Sequence, residues 1–388
     1  MLERAQEIAE RLVAWRRDFH MHPELGFEET RTAGRVAQTL EDLGYQVRTG
    51  VGKTGVVADR GQGAPVIAIR ADMDALPIQE GNDVEYASQV PGVMHACGHD
   101  VHTAIGLGVA TLLSKEAYPG TIRFLFQPAE EVADDEGISG APRMIEDGAM
   151  EGVDAVFGLH VDVETDVGDV VVAAGPVSAG VDTLFATITG RGGHGAIPHK
   201  ALDPIYLSAH VVMALYGIAS RRLNPFEPAV ISFGSIHGGQ AGNVIPEEVQ
   251  LSATIRYMEP EVQRAIHTEI ERALNIAQAL GGGYSYEIEI GYPPMYNDAR
   301  ISRLLAEVGD DLLGAGHNQP GEKHLGAEDF GFFSKIAPGA MFMLGCRLPG
   351  DQRRAHHPLF DVDERCMPIG AAILAEAALR LLRNEEQD

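Results

Sequence analysis

VDTLFATITG at 181–190, AVISFGSI at 229–236, VQLSATIRY at 249–257 and YSYEIEI at 284–290 are four strand-like runs, and the helices placed among them decide the fold. Asp203-Pro204 opens a helix after the first run, because an Asp caps free amides and a Pro pre-sets the first turn. A second helix follows Pro260, so residues 181–290 read β-α-β-β-α-β, the split βαβ order of a small α+β domain. Both flanks have a different texture. On the N-terminal side, VIAIRADMD (66–74), a helix from His102 to about Lys115, TIRFLFQPAEE (121–131) and DAVFGLHV (154–161) alternate as an α/β layer. On the C-terminal side, a helix near 301–313, the strand GAMFMLGC (339–346) and a closing helix at 366–383 resume that layer. The expectation is one α/β domain made of 1–178 and 293–388, with 179–292 inserted. Gly175-Pro176 and Tyr292-Pro293-Pro294 are the crossing points, since Gly-Pro and Pro-Pro steps break regular structure.

With 388 residues and 45% hydrophobic content, the chain is long enough for two domains with full cores. No run of 18 apolar residues exists to span a bilayer, and MLERAQEIAERLVAWRRDF reads as a charged amphipathic helix without a signal-peptide core. A cytoplasmic location is expected. The net charge of −26 excludes nucleic acid and anionic membrane as partners, because both are bound through clustered Lys and Arg. Cys97, Cys346 and Cys366 are too few and scattered for a disulfide framework, which fits a reducing compartment.

The densest chemistry lies in His95-Ala96-Cys97-Gly98-His99-Asp100-Val101-His102. If this stretch is extended, Cys97 and His99 face one way and can share a metal, and the helix that follows favours the thiolate. The plain alternative is a buried structural cysteine with capping histidines. Gln127-Pro128-Ala129-Glu130-Glu131 follows the apolar run TIRFLF, at a strand end where α/β sheets collect functional groups. Adjacent carboxylates suit two roles, one as ligand and one as general base, against the alternative of a solvated acidic turn. His160 closes the strand DAVFGLH, and His356-His357-Pro358 precedes the last helix. Either would by itself more often be an ordinary hydrogen-bonding histidine. Together the tally is one thiolate, one carboxylate, three imidazoles and a spare Glu, a set suited to two divalent ions. Asp72 and Asp74 fit a supporting role, fixing the tautomer of a ligand histidine. The inserted domain carries two glycine-rich loops, at 190–199 and 238–243, neither ending as a phosphate-binding P-loop does. Arg256 is a candidate fork for a substrate carboxylate, or an ordinary surface ion pair.

These stretches resemble the dinuclear metallopeptidase and aminoacylase family, in its N-acyl-L-amino acid amidohydrolase branch with hippurate and auxin-conjugate hydrolases. The likeness rests on HPELGFEE (22–29), RADMDALP (70–77), MHACGHDVHTA (94–104), FQPAEE (126–131), GLHV (158–161), GRGGHGAIPH (190–199), GGQAGNVIPEEV (238–249), GAEDFGFF (326–333) and HHPLFDVDE (356–364). It implies a zinc-peptidase-like three-layer α/β/α catalytic domain with an inserted ferredoxin-like lid and dimerisation domain. It implies two divalent ions per subunit, zinc or manganese with cobalt or nickel as further options. Their ligands would be Cys97, His99, Glu131, His160 and His356, with His357 as fallback. Glu130 is then the general base, His194 the oxyanion donor that reaches a partner's site in dimeric relatives, and Asn243 and Arg256 the groups that receive the substrate carboxylate. The implied activity is hydrolysis of N-acyl amino acids or dipeptides by a homodimer or homotetramer. Where the wider family has His-x-Asp, this chain reads Asp72-Met73-Asp74, which leaves Asp72 open as a sixth ligand. Two rivals are a metal-free cysteine hydrolase, with Cys97 as nucleophile and His99 or His102 as base, and a metal-dependent binding protein. The spare base Glu130 speaks against a pure binder.

Overall fold

The computed structural model describes residues 1–321, 325–350 and 353–384. The chain divides into two units, one formed by Met1–Gly175 and most of the sequence from Tyr296 onward, the other by Pro176–Met295 with the short segment 325–328. After a short helix at Leu2–Gln6, the first unit continues with helices α1 (Ala9–Met21) and α2 (Thr30–Asp42) and strands β1 (Gln46–Val51), β2 (Gly55–Gln62) and β3 (Val66–Asp72). Helix α3 (His99–Leu113) and strands β4 (Gly120–Gln127), β5 (Ala155–Asp166) and β6 (Val170–Val171) follow. The second unit contains β7 (Gly180–Thr189), α4 (Pro204–Arg221), β8 (Ala229–His237), β9 (Glu248–Tyr257), α5 (Pro260–Ala279) and β10 (Gly283–Ile290). The chain then re-enters the first unit with α6 (Ala299–Leu313), β11 (Asn318–Gln319), β12 (Gly339–Arg347) and α7 (Cys366–Arg383).

The sheet of the first unit runs β1-β2-β4-β3-β5-β12-β6-β11. Its centre is parallel, with β3 beside β4 and β5, and β12 beside β5. The β1 edge is antiparallel. Strand β3 is buried from Ile67 to Asp72, as expected where helices cover a parallel sheet. Helix α3 is buried along its whole length and packs on α7 and β3, which explains the near absence of polar residues after Thr103.

In the second unit the order is β8-β9-β7-β10, antiparallel throughout. With α4 and α5 it is the ferredoxin-like fold expected from the β-α-β-β-α-β pattern. Leu184, Ala186 and Ile188 alternate with Val249, Leu251, Ala253 and Ile255 on the face that the helices cover. Helix α4 starts as its sequence requires: Pro204 occupies the first turn and the Asp203 carboxylate accepts the Ile205 amide at 2.9 Å.

Two local expectations are corrected. Helix α3 begins at His99 rather than His102, because Gly98 at φ 98° serves as its N-cap, a left-handed conformation that needs no polar side chain. Cys97 and His99 therefore lie on either side of a sharp turn into a helix, not on an extended stretch. His160 lies inside β5, which continues to Asp166, and does not close it.

Candidate metal centre

The centre is assembled in the first unit from the start of α3, the ends of β3 and β4, the middle of β5 and the loop before α7. Within it, the donor atoms of Cys97, His99 and His160 lie within 4.8 Å of one another. The same holds for Cys97, Glu131 and His356, and for His99, Glu130 and Glu131. All five ligand candidates and the candidate base thus share one locality.

His99 and His160 are each oriented by a bond on the other ring nitrogen. His99 Nδ1 is 2.9 Å from Asp74 Oδ1 and 3.0 Å from the Asp74 carbonyl, so it carries a proton and turns Nε2 inward. That Nε2 is buried and has no aligned hydrogen-bond partner. A buried imidazole nitrogen with no aligned partner, beside a thiol and carboxylates, can offer a lone pair to a metal once its proton is lost, and the donors suit a borderline divalent ion. His160 Nδ1 donates to the Val161 carbonyl at 2.8 Å, and its Nε2 lies 3.4 Å from Cys97 Sγ. His356 is held in the left-handed region at φ 58° with its amide on the Ala96 carbonyl at 2.7 Å, and its Nε2 is 2.9 Å from Glu131 Oε1. His357 is spent locally: its Nδ1 accepts the Leu359 amide at 3.1 Å.

Asp72 and Asp74 support the centre in different ways. Asp74 accepts from His99 and, through Oδ2, from the Glu131 amide at 3.0 Å, so one carboxylate aims two ligand candidates. Asp72 accepts from His102 Nδ1 at 2.6 Å and from Arg70 at 2.5 Å, while His102 Nε2 accepts the Val161 amide at 2.9 Å. Both nitrogens of His102 are therefore engaged, which removes it as a base for Cys97. Its role is to tie α3 to β5.

The protonation pattern follows from this crowding. Burial pushes the Cys97 thiol up, but the imidazole of His160 and then that of His99 overcome it, bringing the thiol down to about 7. Burial alone would lower His99, yet the Asp72 charge and the Cys97 sulfur hold it well above the ordinary imidazole value. His356 is pushed up to about 10 by its contacts with Cys97 and Glu131. Burial brings His102 down to about 4, as suits a neutral ring that both donates and accepts.

The ends of the strands are also cross-linked. Arg70 Nε donates to Gln127 at 2.7 Å, and Gln127 and Ser139 donate to Asp329 at 2.8 Å. The Asp329 amide reaches Glu130 Oε1 at 3.4 Å. Nothing in the sequence singles out Asp329 or Glu29 individually, although they stand inside GAEDFGFF and HPELGFEE.

His194, Asn243 and Arg256 belong to the second unit. His194 and Asn243 are brought together there: Gly193–His194 pairs with Val244–Ile245, and the Gly195 amide donates to the Asn243 carbonyl at 2.9 Å. His194 is exposed and accepts the Ala196 amide through Nδ1 at 3.0 Å, which places the proton of a neutral ring on Nε2. Arg256 is half-buried in β9, opposite Val230 and Val181.

The model of Peptidase family M20/M25/M40 matches residues 68–380 of this chain. A Synechocystis protein named "Probable hydrolase sll0100" is 43% identical over 98% of both chains. The Bacillus subtilis N-acetyl-L-cysteine deacetylase is 38% identical over 98% of this chain and 90% of its own. A solved Bacillus subtilis structure, described as a dinuclear metal binding peptidase from the M20 family, is similar with a TM-score of 0.85 and 34% identity, covering 97% of this chain and 99% of that one.

Proposed function

Because the chain belongs to Peptidase family M20/M25/M40, we propose that it hydrolyses the amide bond of N-acyl-L-amino acids or small peptides, releasing a carboxylic acid and a free amino acid. The observation that carries this reading is the convergence of Cys97, His99, Glu131, His160 and His356 on one locality with Glu130 beside them. These five residues would hold two divalent ions, zinc or manganese, with cobalt and nickel also compatible with a thiolate, imidazole and carboxylate set. When bound, such ions acidify water and polarise a carbonyl.

The remaining work falls to side chains. Glu130, 7% exposed, takes a proton from the attacking water as the new C–O bond forms, then delivers it to the amine nitrogen as the C–N bond breaks. His194 is by resemblance the oxyanion donor, reaching a partner's site in dimeric relatives, and its Nε2–H suits that role as negative charge develops on the carbonyl oxygen. Asn243 and the guanidinium of Arg256 receive the substrate carboxylate. The three cysteines are unpaired, which supports a reducing, cytoplasmic setting. Among the described residues no helix is long and apolar enough to cross a membrane. The resemblance implies a homodimer joined through the second unit, and the exposed Tyr206, Met213 and Tyr216 of α4 and the edge strand β8 support that reading. Sedimentation of Met213→Glu should show a monomer where the parent protein is dimeric.

The deciding experiment combines elemental analysis with a panel of N-acetyl, N-benzoyl and indole-acetyl amino acids and dipeptides, with and without chelator. Two metal equivalents and chelator-sensitive turnover are expected, and Glu130→Gln should keep both metals while kcat falls about 10²–10⁴-fold. Turnover that survives chelation and is abolished by alkylating Cys97 would select the cysteine hydrolase instead.

A further inference from the structure

Glu130 and Glu131 are adjacent, yet each offers an oxygen within 4.8 Å of the other and of a His99 nitrogen. Consecutive side chains of an extended chain point to opposite sides, so the chain is not extended here, and Glu130 and Glu131 lie in a bend. It turns at Ala129, a fully buried residue held at φ 44°, where an L side chain is strained. The peptide groups around this residue are gripped on both sides. The Ala129 carbonyl accepts the Gly140 amide at 2.9 Å. The Ala129 amide donates to Glu29 Oε1 at 2.8 Å. Glu29 is itself fully buried, and its other oxygen accepts the Thr54 hydroxyl at 2.5 Å, from the turn between β1 and β2. The segment carrying Glu29 sits directly on this loop: a Cβ at Gly26 would collide with Val132 Cγ2 and come within 3.0 Å of Ala129 Cβ. Glu29 is in none of the clusters of metal-ligating groups.

We propose that Glu29 is a positioning residue: by accepting the Ala129 amide it stabilises the left-handed peptide that aims Glu130 and Glu131 at one site. Removing the acceptor would bury an unpaired amide, and the chain would relax toward negative φ and swing both carboxylates away. The proposal rests on the assignment of Glu130 as base and Glu131 as ligand. It requires an acceptor at position 29 and not a charge, so Gln should serve. It also requires strain at position 129, so Gly there should lessen the need for Glu29.

The test compares the parent protein with Glu29→Gln, Glu29→Ala, Ala129→Gly, the Glu29→Ala/Ala129→Gly double variant and Glu130→Gln. Each is assayed for melting temperature, zinc affinity by competition with a chromophoric chelator, and kcat and KM on the N-acyl amino acid the parent cleaves fastest. Glu29→Ala should lose about 30-fold or more in kcat with KM within about threefold, and about 10–100-fold in zinc affinity, the range seen when groups that orient ligands are removed. Glu29→Gln should stay within about threefold of the parent in both, and the double variant should recover about tenfold in kcat over Glu29→Ala. A purely structural Glu29 would lower the melting temperature of Glu29→Ala while kcat and zinc affinity of the folded protein stay unchanged, and that result overturns the proposal. Failure of Ala129→Gly to rescue overturns it too. If Glu130→Gln remains active, the site assignment fails and the proposal falls with it; if Glu130→Gln is inactive while Glu29→Ala is unaffected, only the proposal fails.

Discussion

His99 and His102 stand three residues apart on one helix, and each gives its Nδ1 proton to a carboxylate, yet their environments drive them opposite ways. The Nε2 of His102 is satisfied by the Val161 amide and that ring is stable when neutral, whereas His99 and His356 are held protonated by the unneutralised thiol and carboxylates around them. In the metal-free protein these protons occupy the place of cationic charge, so metal binding must expel them. At pH 7.5 we expect at least about two protons released per subunit on zinc binding, and an affinity that rises with pH until His356 titrates near 10. Calorimetry in two buffers of different ionisation enthalpy measures this directly, and no net release would contradict it. Asp74→Ala, which strips support from both His99 and the Glu131 amide, should weaken zinc by about 10–100-fold. Glu29 is pushed up to about 7, first by burial and then by the charge of Asp74. A carboxyl raised in the folded state stabilises the fold below its unfolded value near 4.5 and loses that contribution as pH rises through 7. Glu29→Gln should therefore flatten the urea-stability profile of the metal-free protein between pH 4.5 and 7, by up to about 3 kcal/mol. An unchanged slope would refute the burial argument.

At the scale of elements, two helix starts use opposite devices. Helix α4 relies on a side chain: the Asp203 carboxylate caps the Ile205 amide, and Asp203→Ala should cost about 1 kcal/mol by urea unfolding with no effect on metal content. Helix α3 relies on a bare backbone. Gly98 has φ 98°, and a Cβ there would collide with Val161 Cγ2 and approach Phe360 within 3.5 Å. Gly98→Ala adds left-handed strain to that overlap, so a loss of about 2–4 kcal/mol is expected together with impaired metal binding, since Cys97 and His99 flank the turn. Equal damage from the two substitutions, or retained metal in Gly98→Ala, would show that the turn tolerates adjustment.

For the whole molecule, 56 acidic against 30 basic side chains leave a net charge of −26 that no single site explains. Local pairs such as Arg16 with Asp100 and Asp361 are already counted in that net, so the excess acids must repel one another. Salt shortens that repulsion from about 30 Å at 0.01 M to about 8 Å at 0.15 M. The urea midpoint at pH 7 should thus rise between 0.01 and 0.5 M KCl with an unchanged m-value, and a flat midpoint would mean that the charges are already locally balanced.

The second unit was legible almost element by element, because its strands alternate and its helices open on Asp-Pro and Pro, signals that act over a few residues. Cys97, His99, Glu130 and Glu131 were legible for a related reason: soft and hard donors crowded at segment ends leave few other uses. The start of α3 was missed because a glycine cap has no side chain to read. What the linear order could not decide was which groups meet. Asp74 finds Glu131 across 57 positions, Glu29 finds Ala129 across 100, and Asp329 finds Glu130 across 199. His356 was preferred to His357 by resemblance, and only the folded loop turns one toward Glu131 and the other back on Leu359. Residue types and local turns set the chemistry available, whereas the strained backbone at Ala129 and His356 persists only because distant partners satisfy it, so it exists in the tertiary structure alone.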